Sequence, residues 1–447
     1  LQRQKQPRYP SDPRRRHRLV LISRKTTLLL IAFLAVCASA KSQEATPPPA
    51  APLFERETVT GEWFGARPLI EDRGVSLFGS YTAEVWGNTA GGLRTGSVYT
   101  GLLDFGAEVD LEKLAGWRGG SIGTTWLWLS GRDASEDLVG NFLTISNIAG
   151  FNTLRMMELW FQQNFLEDKI SLRFGNITAD SEFLVSDYGG LFINGTFGWP
   201  ALASMNMPGG GAAYPVGGLG ARVELQPTEW MSFRSGVFLT NLIPQNINRA
   251  GFRWDLNAKQ AVTWINEVCF SHGKDEKSGV LPGFVKAGMW LQTGAEANAL
   301  DPSSNLPNTG FYLLVDQLLI PERSEDGSIG DEGLGSFAGI GFTPPNRNVV
   351  DFYLNAGLSY KGLLPGREAD TCGLSCGLAS LSNGADGALR DEGLSPQAAE
   401  MVLEATYQCV LAPCCFVQPD IQYIINPGAT TAYGNALVLG ARFSVQF

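Results

Sequence analysis

Read with a period of two, residues 437–447 place Leu437, Leu439, Ala441, Phe443, Val445 and Phe447 on one face and Val438, Gly440, Arg442, Ser444 and Gln446 on the other. One oily and one mostly polar face marks a strand with two different surroundings. A strand tilted by about 45° needs roughly 9–11 residues to cross a hydrocarbon core, and this segment is long enough. Phe447 would then sit at the membrane edge as an aromatic anchor. A soluble edge strand alternates in the same way. The choice depends on whether the pattern recurs and on what precedes it.

What precedes it is a leader. Arg14, Arg15, Arg16, Arg18, Arg24 and Lys25 come before an apolar run at 28–36, and Ala38-Ser-Ala40 follows. That order is the form of a secretory signal peptide, expected over residues 1–40. Beyond it stand 25 Lys and Arg against 43 Asp and Glu, a formal charge of −18. So acidic a chain does not seek nucleic acid. No run of about 18 consecutive apolar residues follows the leader, so helical spans are excluded.

Residues 41–59 read as a Pro/Ala-rich linker, extended around Pro47-Pro-Pro49. Residues 60–74 read as a short peripheral helix, capped by Thr60 and ended by Gly74. From 75 to 447 alternating segments recur. The clearest are 102–111, 169–175, 219–226, 351–360 and 417–425. Less regular ones are 76–86, 121–128, 156–165, 232–239, 284–291, 311–317, 337–342 and 401–408. The first sets Asp104, Glu108 and Asp110 on one face, which a dry sandwich core would not accept.

The connections come in two sizes. Tight turns are expected at 166–169, 226–229 and 411–413, and long irregular loops at 179–216, 241–261, 319–333 and 363–397. Short turns at one rim and long loops at the other suit an outer-membrane barrel. Trp86, Trp126, Trp128, Trp160, Trp230 and Trp290 lie in or beside candidate strands, where interfacial girdles form. The fold class expected is all-β: a transmembrane antiparallel barrel of about 16 strands, with short periplasmic turns, long extracellular loops and a short N-terminal helix. A lumen that wide fills with water unless a loop closes it. The Gly-rich stretch 208–220 and the loop before it are the candidates for narrowing it.

The chemistry expected is sparse. After the leader His272 is the one histidine, which argues against histidine triads and multi-His metal sites. No G-x-S-x-G element or P-loop occurs. No catalytic residue, metal site or cofactor is expected. Cys269, Cys372, Cys376, Cys409, Cys414 and Cys415 lie on the secreted side of the leader. A Cys372–Cys376 bridge and one from Cys409 to Cys414 or Cys415 are compatible with that oxidising compartment, and a thiolate metal cluster is the alternative. Pro419 removes a ladder hydrogen bond, so a bulge is expected there.

Several stretches carry a family likeness. Thr60-Gly-Glu-Trp-Phe-Gly-Ala-Arg67, Gly116-Trp-Arg-Gly119, Leu172-Arg-Phe-Gly-Asn176, Phe192-Ile-Asn-Gly195 and above all Val417-Gln-Pro-Asp-Ile-Gln-Tyr-Ile-Ile-Asn-Pro-Gly428 resemble the carbohydrate-selective outer-membrane porins of the OprB type. The resemblance implies a sixteen-stranded barrel with an inwardly folded constriction, passing glucose and related sugars down their gradient. The pair Cys414-Cys415 and the cysteine-bearing stretch 370–377 depart from the family pattern.

The expected function is therefore passive, saccharide-preferring diffusion across the outer membrane of a Gram-negative-type bacterium. Arg94, Arg173, Asn176, Asp180, Asn194 and Trp199 are the candidate sugar-contacting residues, chosen by lumen parity or by nearness to the inward loop. The expected partners are small-molecule sugars, outer-membrane lipid, and the barrel-assembly machinery through the C-terminal strand, with the protein a monomer or homotrimer. The alternatives are a general cation-preferring porin, a secreted soluble carbohydrate-binding β-protein and an outer-membrane barrel enzyme.

Overall fold

The computed structural model describes residues 52–240, 243–254, 261–273, 280–294, 297–301, 303–304, 306–323 and 329–447. The expected signal peptide and most of the linker lie outside them. Sixteen strands follow one another: β1 Val75–Gly92, β2 Gly96–Asp110, β3 Gly120–Gly131, β4 Thr153–Phe165, β5 Ile170–Ile177, β6 Gly218–Thr228, β7 Met231–Leu239 and β8 Val262–His272. The second half runs β9 Gly283–Thr293, β10 Asn308–Arg323, β11 Ile329–Phe342, β12 Val350–Lys361, β13 Thr371–Leu381, β14 Ala399–Ala412, β15 Cys415–Ile425 and β16 Gly434–Gln446. Each pairs antiparallel with its neighbour in sequence, and β16 closes on β1. Closure leaves no unpaired edge, so every strand satisfies its backbone groups within the sheet.

The alternation predicted for the last strand holds. Leu439 and Phe443 are exposed on the outer wall, whereas Val438 and Ser444 are buried inside. The turns at 166–169, 226–229 and 411–414 lie at one rim, and the long connections at the other. At the short-turn rim a 3-10 turn, Trp63–Gly65, leads into α1, Ala66–Glu71. Thr60 does not cap this helix, whose N-cap is Gly65 in the left-handed region. The end of the linker is docked rather than free. Val59 N–H donates to the Gln446 carbonyl at 2.8 Å, and Arg67 reaches the Phe447 carbonyl at 2.8 Å.

Other expectations are corrected. The stretch 363–397, read as one loop, contains β13, and the stretch 319–333 is largely strand belonging to β10 and β11. The inward positions of β13 are Gly373, Ser375, Gly377 and Ala379. They are small because another segment packs on them: a Cβ on Gly373 would lie 2.7 Å from Leu191 and Phe192. Small residues erase the apolar alternation that reveals a strand. The unread β8 has Ile265 inside and Asn266 outside, against the usual order.

Cys372 and Cys376 stand four residues apart on β13, a separation of about 13 Å at strand rise. No local bridge can span that. Among the described residues no disulfide forms, including at Cys409. Pro419 causes no bulge: the pairs Thr406 with Asp420 and Cys409 with Val417 keep one register across it, and the shift falls at Val410/Ala412. His272 ends β8 half-buried, its Nε2 bonded to Gln317 Oε1 at 2.7 Å. Trp128 and Trp230 face outward as a girdle would, but Trp86, Trp160 and Trp290 are buried inside.

Candidate functional site

Two connections fold into the barrel. Segment 132–152, between β3 and β4, and segment 178–217, between β5 and β6, pack against the inner wall and against each other. The main hydrophobic core therefore lies in the lumen. Phe192, Ile193 and Phe197 from the second segment, and Leu143 and Ile145 from the first, meet Trp86, Phe337, Tyr353, Val402, Ile424 and Val438 of the wall. Gly335 lets Tyr188 lie flat on β11, since a Cβ there would fall within the tyrosine ring.

Irregular backbone inside a barrel needs partners for its N–H groups. Wall carboxylates supply them. Glu400 on β14 accepts from Phe142 N (3.0 Å), Leu143 N (2.7 Å) and Gly428 N (2.6 Å). Glu404 accepts from Ile193 N (2.6 Å) and Asn194 N (3.1 Å). Asp316 on β10 accepts from Asp187 N, Tyr188 N and the Ser186 hydroxyl, and Glu267 on β8 from Leu184 N. Glu158 on β4 holds Thr178 by both N–H and hydroxyl at 3.0 Å. A carboxylate is acceptor-only with two oxygens, so one side chain can tie two or three amides.

The two segments also fasten to each other. Asn147 N donates to Ile193 O at 2.9 Å, Gly195 N to Thr144 O at 2.8 Å, and the Tyr214 hydroxyl to Ile148 O at 2.7 Å. Burial above all, and then the charges of Glu84 and Asp104, push the Tyr214 phenol well above its usual range, so it stays protonated.

A charged row crosses the inner face of β5 to β7. Arg173 bonds Glu182 at 2.9 Å and Gln162 at 2.8 Å, and its guanidinium lies 4.2 Å from the centre of the Trp160 ring. Arg222, its register partner, bonds Glu182 at 2.9 Å and Ser171 at 2.8 Å. Arg234 bonds Glu224 and the Glu182 carbonyl, both at 2.9 Å. Near the β16–β1 closure Arg442 grips Glu84 through Nε (2.8 Å) and Nη2 (2.5 Å) and bonds Asn147 of the inward segment. Glu84 is further held by Ser146 and Trp86.

Of the residues predicted for the site, Arg173 stands in this row. Asp180 and Trp199 belong to the inward segment: buried Asp180 accepts Tyr214 N at 2.8 Å, and half-buried Trp199 donates to Gly210 O at 2.8 Å. Asn194 is buried as a tie, donating to Leu143 O and Gln422 Oε1. Asn176 bonds Met157 O and accepts from Trp254. It sits at an outward position of β5, in phase with exposed Leu172 and Phe174. Arg94 is exposed in the β1–β2 turn, bonded to the Asp137 carbonyl. Arg222 and Arg442 were visible as polar-face residues of their strands. Which loop residues they would meet was not visible.

Comparison with known proteins agrees with this architecture. The family described as Carbohydrate-selective porin, OprB family, matches residues 94–447. The chain is 24% identical to Porin B of Pseudomonas aeruginosa over 94% of this chain and 96% of that protein. It is also 24% identical to a putative porin, QuiX, of Acinetobacter baylyi over 88% and 94%. Among solved structures, the high-pH structure of Pseudomonas putida OprB superposes with a TM-score of 0.77 at 23% identity, covering 89% of this chain and all of that one.

Proposed function

Because the chain belongs to the carbohydrate-selective porin family of OprB type, an outer-membrane channel family rather than an enzyme family, we propose that it passes glucose and related sugars by diffusion through the bore left beside the two inward segments. The observation that carries this reading is the lumen itself. It is narrowed by pinned segments and keeps a row of charged and amide groups, Gln162, Arg173, Glu182, Arg222 and Arg234, on one wall. Such groups can exchange hydrogen bonds with successive hydroxyls of a neutral sugar. Each contact is weak enough for the sugar to leave as readily as it entered. Trp199, half-buried on the inward segment, is the aromatic we assign to the apolar face of a pyranose.

The general cation-preferring reading draws on the acidic composition of the chain. The β5–β7 row speaks against it, since three arginines there meet two glutamates, Glu182 and Glu224. We further propose that residues 1–40 are a signal peptide, that 56–74 dock at the periplasmic rim, and that the barrel-assembly machinery reads the β16 strand. Liposome swelling by protein extracted from the outer membrane tests the main reading. Glucose should enter faster than neutral solutes of equal size that lack a pyranose ring; equal rates would return the protein to the general porins. Cross-linking in the native membrane separates a monomer from a homotrimer.

A further inference from the structure

We propose that Asp104 of β2, with Arg442 and Tyr214, forms a saccharide subsite in the bore, its carboxylate accepting hydroxyl protons from a passing sugar. The proposal rests on the sugar-channel reading and deepens it.

Asp104 points inward, in register with Ser80 on one side and Leu127 on the other. Its Oδ1 is buried and has no hydrogen-bond partner. Other acids of the inner wall and inward segments are engaged: Glu84 by Arg442, Glu158 by Thr178, Glu182 and Glu224 by arginines, and Glu267, Asp316, Glu400 and Glu404 by backbone amides. Taking a carboxylate out of water without a partner is among the costlier things a fold can carry. A lone exception among satisfied neighbours calls for a ligand.

The surroundings say which chemistry. Tyr214 lies within electrostatic reach of Asp104, Glu84, Arg442 and Asp180, so these groups gather where the two inward segments join. The Tyr214 hydroxyl spends its proton on Ile148 O and keeps its lone pairs. Arg442 spends Nε and Nη2 on Glu84 and Asn147, and its Nη1 bonds no described residue. An acceptor-only carboxylate beside a guanidinium N–H suits a vicinal diol, which donates with its protons and accepts with its oxygens. A simple cation would gain from Asp104 but would be opposed by Arg442.

The test uses the full channel in planar bilayers, with glucose and maltose titrated as current blockers. Asp104→Asn keeps the shape and removes the charge. Its sugar block should weaken about tenfold, the loss of one charge-assisted hydrogen bond, while KCl conductance changes less than twofold. Asp104→Glu should recover part of the block. If the wild type is blocked and Asp104→Asn is blocked equally well, the subsite is refuted and the sugar-channel reading survives. A shifted reversal potential with unchanged block would make Asp104 a cation site and also refute it. A wild type blocked by neither sugar, with no swelling by glucose, would remove both readings together.

Discussion

The backbone amide of Leu143 donates to the carboxylate of Glu400, 257 residues further along the chain, across 2.7 Å. The same carboxylate holds Phe142 and Gly428, so one side chain fixes an inward segment and a rim turn at once. Glu400→Ala would leave three amides without their acceptor, at about 1–3 kcal/mol for each that stays buried. The expected result is a channel that still inserts but flickers in single-channel recordings, with segment 132–152 open to protease. A quiet, protease-resistant variant would show that packing alone holds the segment.

The arginine row makes an ion-selectivity prediction. Replacing Arg173 and Arg222 together by Gln removes two positive charges from the wall while keeping amides able to bond Glu182. The reversal potential in a KCl gradient should move toward cation preference, more strongly at low salt because screening is weaker there. Asp180→Ala should behave differently. It removes the acceptor for Tyr214 N and should lower stability rather than shift selectivity.

The outer wall can be tested by depth. Leu439 lies mid-strand in β16 and is exposed, and Phe443 lies nearer the periplasmic end. Leu439→Arg should cost about 2–4 kcal/mol in urea unfolding from lipid, and Phe443→Arg less. Equal costs at the two positions would count against this placement of the membrane.

Asp133, at the start of segment 132–152, is pushed up to about 6, chiefly by burial, although Ser135 N donates to it at 2.8 Å. The folded protein therefore holds this proton more tightly than the unfolded chain does. Its contribution to stability is fully present below pH ~4, is lost as pH rises to about 6, and is flat beyond. Asp133→Asn keeps an acceptor for Ser135 and should stabilise at pH 7.5 by up to about 3 kcal/mol, with no gain at pH 3.5. Thermal unfolding in detergent at the two pH values checks it; a gain of the same size at both would refute the titration.

Alternation alone determined that this chain builds a membrane barrel, because a strand between lipid and water must place apolar side chains at every second position, as Leu439, Ala441 and Phe443 do. It failed where that rule lapses. On β13 the inner neighbours are Leu191 and Phe192 rather than water, so glycine and alanine stand where polar residues were expected. Trp86, Trp160 and Trp290 misled for the same reason: the apolar core lies within the barrel, so an aromatic residue in a strand need not face lipid. Only the tertiary structure decided which groups meet in the bore. Glu182 reaches Arg173 and Arg222, and Asn147 reaches Arg442, because two irregular segments cross the lumen. Their course is set by hydrogen bonds to residues tens to hundreds of positions away, and no local pattern encodes such pairings.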